Sequence, residues 1–168
     1  MGTPLDDKNV NLLLRLGSDA EDAGDFAHAR SCFQRGADLG DDGCWVSLGL
    51  MFDLGRGVTV DKQQAMRCYR KAWRRRNEAA ANNIAILYRE IGKHRTMFSW
   101  FLRGATTGDG GAYIEMAKCY RDGIGVRKSP EAVVRCLAAA LSHPPLSEYE
   151  FEEAQTMLAD FRPRVVGA

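Results

Sequence analysis

Apolar side chains recur along this chain at the spacing of helical faces, in four similar copies. In each copy they occupy positions i, i+4 and i+8, which lie on one face of an α-helix. The copies are Ala29-Phe33-Ala37, Ala65-Tyr69-Trp73, Met97-Phe101-Ala105 and Ala132-Cys136-Ala140. The pattern therefore predicts four amphipathic helices, which we call the B helices.

A second set of apolar stripes precedes each B helix and predicts four A helices. The stripes are Leu13-Leu16-Gly17, Trp45-Leu48-Gly49-Phe52, Ala81-Ile84-Ala85-Tyr88 and Tyr113-Met116-Ala117-Tyr120. Each contains a glycine or alanine beside a large residue, which lets a neighbouring helix approach closely. The alternation predicts four antiparallel helix pairs, at about residues 9–40, 41–77, 78–108 and 109–143.

Residues between the stripes support these boundaries. Asp61 with Gln64, and Ser129 before Pro130, are typical of helix starts. Gly40, Gly92 and Gly108 stand where helices should end. Two connections are longer and glycine-rich, Gly55-Arg56-Gly57-Val58 and Gly123-Ile124-Gly125-Val126, and we expect their glycines to adopt positive φ.

A further helix is predicted at about residues 146–161. Ser147 and Glu150 can form a capping box at its start. Its apolar stripe consists of Phe151, Ala154, Leu158 and Phe161. We interpret it as the cap that closes the last hydrophobic face of a repeat array. A partner-docking helix is the alternative.

The segment from Leu48 to Tyr69 has the pattern LGxxFxxGxGVxxDxxxAxxxY, which resembles the Sel-one-like repeat (SLR), a relative of the tetratricopeptide repeat. A similar segment runs from Met116 to Cys136, and the helix pairs together cover about residues 9–143. The resemblance implies an all-α, right-handed α-solenoid of four antiparallel helix pairs with a C-terminal capping helix, forming one domain over residues 1–168. It implies a non-catalytic adaptor, scaffold or inhibitor. The resemblance also implies a more specific role, because single-domain bacterial chains of this kind can act as cognate inhibitors, or immunity proteins, of secreted toxins.

The same resemblance places the A helices on a concave inner surface that binds another protein, as a peptide segment or a domain. The stripe expected to face that surface begins in the first pair at Leu14, Ser18 and Glu21. Its other members are Val46, Leu50, Asp53, Asn82, Ile86, Arg89, Ile114, Lys118 and Arg121. The charges change from acidic to basic along the chain, which could orient a partner, with Arg offering a planar fork to carboxylates. A solvated helix face with chance charges is the alternative.

A basic helical face between residues 67 and 76 suggests a different function, an anion or nucleic-acid binder. Its members are Arg67, Arg70, Lys71, Arg74, Arg75 and Arg76. The formal net charge is only +1, and no aromatic residue interleaves on that face to stack on bases. We therefore interpret it as an outer, solvated face, and nucleic acid is not the favoured partner.

Candidate chemistry is sparse elsewhere. The five cysteines form no CxxC pair, and Cys32, Cys68 and Cys136 fall near core positions, which predicts buried, inert thiols. His28, His94 and His143 lack metal-ligand spacing, and the last two are expected in surface turns. We predict no catalytic residue, metal or cofactor. The N-terminus does not resemble a secretory signal and no apolar run approaches the ~20 residues of a membrane span, so we expect a cytoplasmic location without a membrane partner.

Overall fold

The computed structural model describes residues 7–142 and 146–161. Within these ranges the chain is all-α, with nine helices and no strand, as the sequence predicts. The helices are α1 (Asp7–Asp22), α2 (Phe26–Asp38), α3 (Asp42–Leu54), α4 (Lys62–Arg74), α5 (Glu78–Glu90), α6 (His94–Thr106), α7 (Gly110–Asp122), α8 (Pro130–Ser142) and α9 (Glu148–Phe161).

The chain divides into two compact units, residues 1–80 and 81–168, with the boundary inside α5. In the first unit each helix packs on the next, from α1 to α4, and α1 also contacts α3. In the second unit α6 packs on α7, α7 on α8 and α8 on α9, and α7 also contacts α9. The predicted repeat ranges and the single-domain organisation stay predictions.

Small residues on the A helices allow close packing of the B helices, as the sequence predicts. A methyl group added at Gly17 would lie 2.3 Å from Cε1 of Phe33, and one added at Gly49 would lie 2.4 Å from Cε1 of Tyr69. Phe33 and Tyr69 are both fully buried. The two aromatic rings therefore occupy the space that a larger side chain on the A helix would need.

The predicted helix starts are confirmed by hydrogen bonds. The Asp61 carboxylate accepts from the backbone N–H groups of Gln63 and Gln64. Ser129 Oγ accepts from the N–H of Ala132 at 3.1 Å. These contacts satisfy N–H groups that have no partner inside the helix.

The glycine-rich connections adopt the expected positive φ, and they also make a close contact that the sequence does not reveal. Gly57 has φ 65° and Gly125 has φ 77°. A methyl group at Gly57 would lie 2.2 Å from Cβ of Phe26, and one at Gly125 would lie 2.3 Å from the carbonyl oxygen of His94. Phe26 and His94 are each the first residue of a preceding B helix. The two connections therefore pack at equivalent places in the two units.

Helix α9 forms as predicted, but its buried face differs from the predicted stripe. Ala154 and Met157 are buried, whereas Phe151 is 43% exposed. The reason is that α9 contacts α8 and α7 on one side only. No helix of the described residues follows α9, so the side that carries Phe151 lacks the cover that a B helix gives the other A helices.

Candidate functional site

In the first unit, one member of the predicted stripe, Asp53, forms hydrogen bonds within its own helix pair. Val46 and Leu50 are half-buried on α3. Asp53 is buried, and its carboxylate accepts hydrogen bonds from Lys62 Nζ at 2.6 Å and from the Tyr69 hydroxyl at 3.1 Å. The expected exposure of Asp53 is therefore wrong, because the last turn of α3 lies beside two donors of α4. Its binding role stays a prediction.

In the second unit, the structure brings five predicted residues around one cleft of about 140 Å³. We call it the α5–α7–α9 cleft. The predicted residues that line it are Asn82, Ile86, Arg89, Ile114 and Lys118. The sequence missed four others, Gly111 and Glu115 of α7 and Glu150 and Glu153 of α9. Ile114 is 2% exposed, so its expected exposure is corrected: its side chain packs between the helices that form the cleft.

A network of ion pairs holds the cleft together. Glu115 pairs with Arg89 of α5 and with Lys118 Nζ at 2.8 Å. Lys118 also reaches Glu153 of α9 at 2.9 Å. The network therefore links three helices of this unit through four side chains.

The titration behaviour of these groups follows from the same contacts. Burial alone raises the pKa of Glu115, but the hydrogen bonds from Lys118 and Arg89 lower it more, so the net pKa lies below its ordinary value. Burial alone lowers the pKa of Lys118, and its bonds to Glu115 and Glu153 raise it above the ordinary value. Both groups are charged at neutral pH, so neither is placed as a general acid or base near pH 7.

The predicted basic end of the stripe is locally neutralised, which corrects the expected charge gradient. Arg121 donates two hydrogen bonds to Asp122, each at 2.8 Å, and Arg89 and Lys118 already have carboxylate partners. The partner of Arg121, Asp122, is the next residue in the sequence. Glu153, a partner of Lys118, lies on α9, and the sequence alone could not show that α9 lies beside α7. A partner carboxylate would have to compete with these pairs.

One polar atom in the cleft is not satisfied by the described part of the chain. Asn82 Oδ1 is buried and has no hydrogen-bond partner there. A buried amide oxygen without a partner carries a desolvation cost that an incoming donor would remove. Gly111 lets the Glu150 carboxylate come close to α7, since a methyl group at this position would lie 2.8 Å from Glu150 Oε1.

The basic face of α4 is exposed at Arg67, Arg70, Lys71 and Arg74, as the sequence predicts. The prediction that no aromatic residue interleaves on this face concerned α4 alone, and the structure adds an aromatic neighbour from another helix. Trp45 of α3 lies beneath Lys71, whose Nζ is 3.8 Å from the ring centroid. The sequence missed this contact because the two residues belong to different helices.

The last two members of the basic face point elsewhere. Arg75 follows the end of α4 and lies against Gly40, and Arg76 has a φ of 66°. Arg75 therefore joins the end of α4 to the connection between α2 and α3.

Cys32, Cys68 and Cys136 are buried and His94 is exposed, as the sequence predicts. All five cysteines are free and buried, and burial raises the pKa of Cys68 and of Cys119 to about 11, so these thiols are protonated near neutral pH. His94 is exposed at the start of α6, while His143 lies outside the described residues. Across residues 7–142 and 146–161, no three His, Cys, Asp or Glu side chains are placed to hold a metal ion. None of the helices in these ranges is long and apolar enough to cross a membrane.

Comparison with known families identifies the repeat. The Sel1 repeat model matches three segments, residues 14–41, 46–75 and 111–141, which together make up more than half of the chain. The chain belongs to the Sel1-repeat family. The match omits α5 and α6, one of the two pairs predicted without a glycine-rich connection.

Solved structures agree with this family. A Sel1 repeat protein from Oxalobacter formigenes is 26% identical, with a TM-score of 0.73 over 94% of this chain and 66% of that one. A protective antigen of uropathogenic Escherichia coli that displays an SLR fold is 20% identical, also with a TM-score of 0.73, over 90% of this chain and 38% of that one. This chain thus spans about two thirds of the first structure and less than half of the second. No curated protein matches the sequence significantly.

The family shows the class of function in general terms. The fold class is the all-α, Sel1-type solenoid. Sel1-repeat proteins are generally non-catalytic modules that bind other proteins.

Proposed function

We propose that this chain is an adaptor or scaffold that binds a short segment of another protein in the α5–α7–α9 cleft. One observation carries the proposal: five residues of the predicted stripe line a single cleft, where Asn82 Oδ1 is buried without a partner in the described structure. The sequence selected these residues from their position on the A helices. The structure adds a shared cavity and an unsatisfied acceptor.

The size and polarity of the cleft favour a polypeptide over a small molecule. Its volume of about 140 Å³ is well below the roughly 300–1,000 Å³ of typical small-molecule sites. It has room for about one side chain. Asn82 Oδ1 would accept an N–H from the partner, and Ile86 would offer apolar contact. Because Arg89 and Lys118 already pair with glutamates, the segment bound here need not be acidic.

A finer form of this proposal is a bacterial immunity protein, a cognate inhibitor of a secreted toxin. Its basis is the resemblance to the SLR family, in which small bacterial chains can act in this way. It predicts a stoichiometric complex with a toxin encoded by a neighbouring gene. Expression of this chain should then restore growth to cells that produce the toxin. If no complex forms and growth is not restored, the immunity role is rejected while the adaptor proposal stands.

Site-specific crosslinking followed by titration tests the general proposal. A photoreactive residue at Ile86 should capture one polypeptide from native extract, and the same residue at the exposed Leu102 of α6 should not. With the captured partner purified, Asn82→Ala should weaken binding by up to about tenfold, the loss of one hydrogen bond, without lowering Tm. Asn83→Ala, one position along α5, is the matched control. Equal effects of the two variants, or equal capture at both positions, would contradict the proposal.

A further inference from the structure

The first unit carries a separate feature, which we call the α3–α4 basic surface. It consists of Trp45 on α3 and Arg67, Arg70, Lys71 and Arg74 on α4. These residues line a cleft of about 430 Å³. The four cations repeat at intervals of three and four residues, so they share one face of the helix.

Three of these cations have no counterion within residues 7–142 and 146–161. No carboxylate of the described residues forms an ion pair with Arg67, Lys71 or Arg74. The contrast with Arg89, Lys118 and Arg121 of the second unit is clear, because each of those pairs with a carboxylate.

Helix stability does not account for this arrangement. Cations in the last turn of a helix interact favourably with the helix dipole. This effect explains Lys71 and Arg74, which lie in the last turn of α4, but it does not explain Arg67 near the middle of the helix. Like charges three or four residues apart on a helix repel each other. The chain retains this repulsion on a surface that also contains a half-buried tryptophan.

We propose that the α3–α4 basic surface docks an acidic segment of a partner protein. Guanidinium groups match carboxylates in a planar, two-bond geometry, and several such groups in a row complement a run of Asp and Glu. The aliphatic stem of Lys71, which lies over Trp45, supplies apolar contact for the partner backbone.

A polypeptide is a better occupant than a nucleic acid. Non-specific nucleic-acid sites combine basic grooves with aromatic faces on which bases stack. Here the Lys71 ammonium covers a face of the Trp45 ring, so that face is not free to stack on a base. The proposal does not depend on the α5–α7–α9 cleft, because the surface lies entirely in the other unit.

Two charge-matched double variants test it in the full chain. The probe is a short fluorescein-labelled peptide rich in glutamate, followed by fluorescence anisotropy at low salt. Arg67→Glu with Arg74→Glu should weaken binding by at least roughly tenfold, through the loss of charge-assisted hydrogen bonds. Arg15→Glu with Arg30→Glu, exposed positions on α1 and α2, should change it by less than about twofold. Both pairs change the net charge equally.

Three outcomes would overturn the proposal. The wild-type chain could fail to bind the peptide, or both double variants could weaken binding equally, which would indicate long-range attraction alone. A single-stranded oligonucleotide could also bind more tightly than the peptide with the same dependence on Arg67 and Arg74, which would assign the surface to nucleic acid. Circular dichroism should show an unchanged helical content, and Arg67→Gln with Arg74→Gln replaces the charge reversal if that variant unfolds.

Discussion

At the scale of single residues, the packing of the helix pairs depends on glycines that leave room for aromatic rings. Gly17 and Gly49 face aromatic rings that are fully buried, and each ring occupies the place where a β-carbon would stand. The sequence could predict that a small residue was needed at these positions, because the pattern repeats. It could not show which ring fills the space, since Phe33 and Tyr69 belong to the partner helices.

Gly49→Ala tests this packing. Alanine is the better helix former by about 1 kcal/mol, but the added methyl group must displace Tyr69 in a packed core, at a cost of roughly 1–3 kcal/mol. We therefore expect a net loss in the free energy of unfolding of up to about 2 kcal/mol, measured by urea denaturation. Ser47→Ala on the same helix adds no atom and serves as the control. Greater stability of Gly49→Ala would show that the ring moves freely.

At the scale of the helices, α9 shows how a terminal element is fixed. It contacts α8 and α7 as α3 contacts α2 and α1, but no helix follows it in the described residues. Its start is defined by a reciprocal capping box, in which Ser147 N–H donates to Glu150 Oε2 at 2.9 Å and Glu150 N–H donates to Ser147 Oγ at 3.3 Å. The sequence predicted this box but placed Phe151 on the buried face, because periodicity alone does not say which side of a helix is covered.

Ser147→Ala should loosen α9. Loss of an N-cap hydroxyl costs about 1 kcal/mol, and α9 has contacts on only one side to offset it. We expect faster hydrogen exchange of backbone amides in α9, with much smaller changes in α7. Gln155→Ala, an exposed position on the same helix, should leave exchange nearly unchanged. Equal exchange in wild type and Ser147→Ala would mean that packing, and not the cap, holds the start of the helix.

At the scale of the whole molecule, the sequence predicted the helix pairs well and the site in part. Helix order follows from local periodicity, which needs no knowledge of distant residues. The burial of Asp53 depends on Lys62 and Tyr69. The neutralised charge at Arg89 depends on Glu115, and that at Lys118 depends in part on Glu153. No spacing rule connects those positions, so the electrostatics of the cleft became visible only in the structure.

The ion-pair network of the second unit makes stability depend on pH in a defined direction. The pKa of Glu115 in the folded chain lies below its ordinary value of 4.5, because bonds from Lys118 and Arg89 outweigh the effect of burial. Because the pKa is lower in the folded chain, the unfolded chain binds more protons than the folded chain in this pH range, and a fall in pH therefore favours unfolding. The contribution of Glu115 to the free energy of unfolding is therefore fully present when the pH lies above the ordinary pKa. It is lost as the pH falls through the lower pKa of the folded chain.

Glu115→Gln should remove this dependence. At neutral pH the variant should be less stable than wild type, because Lys118 and Arg89 lose a charged acceptor while Lys118 keeps Glu153. The difference in unfolding free energy should shrink as the pH falls below 4.5, since wild-type Glu115 also becomes uncharged. Denaturation in a pH series measures it. Glu152→Gln, an exposed position on α9, controls for general charge effects. A difference that stays constant with pH would mean that Glu115 acts through shape and not through its charge.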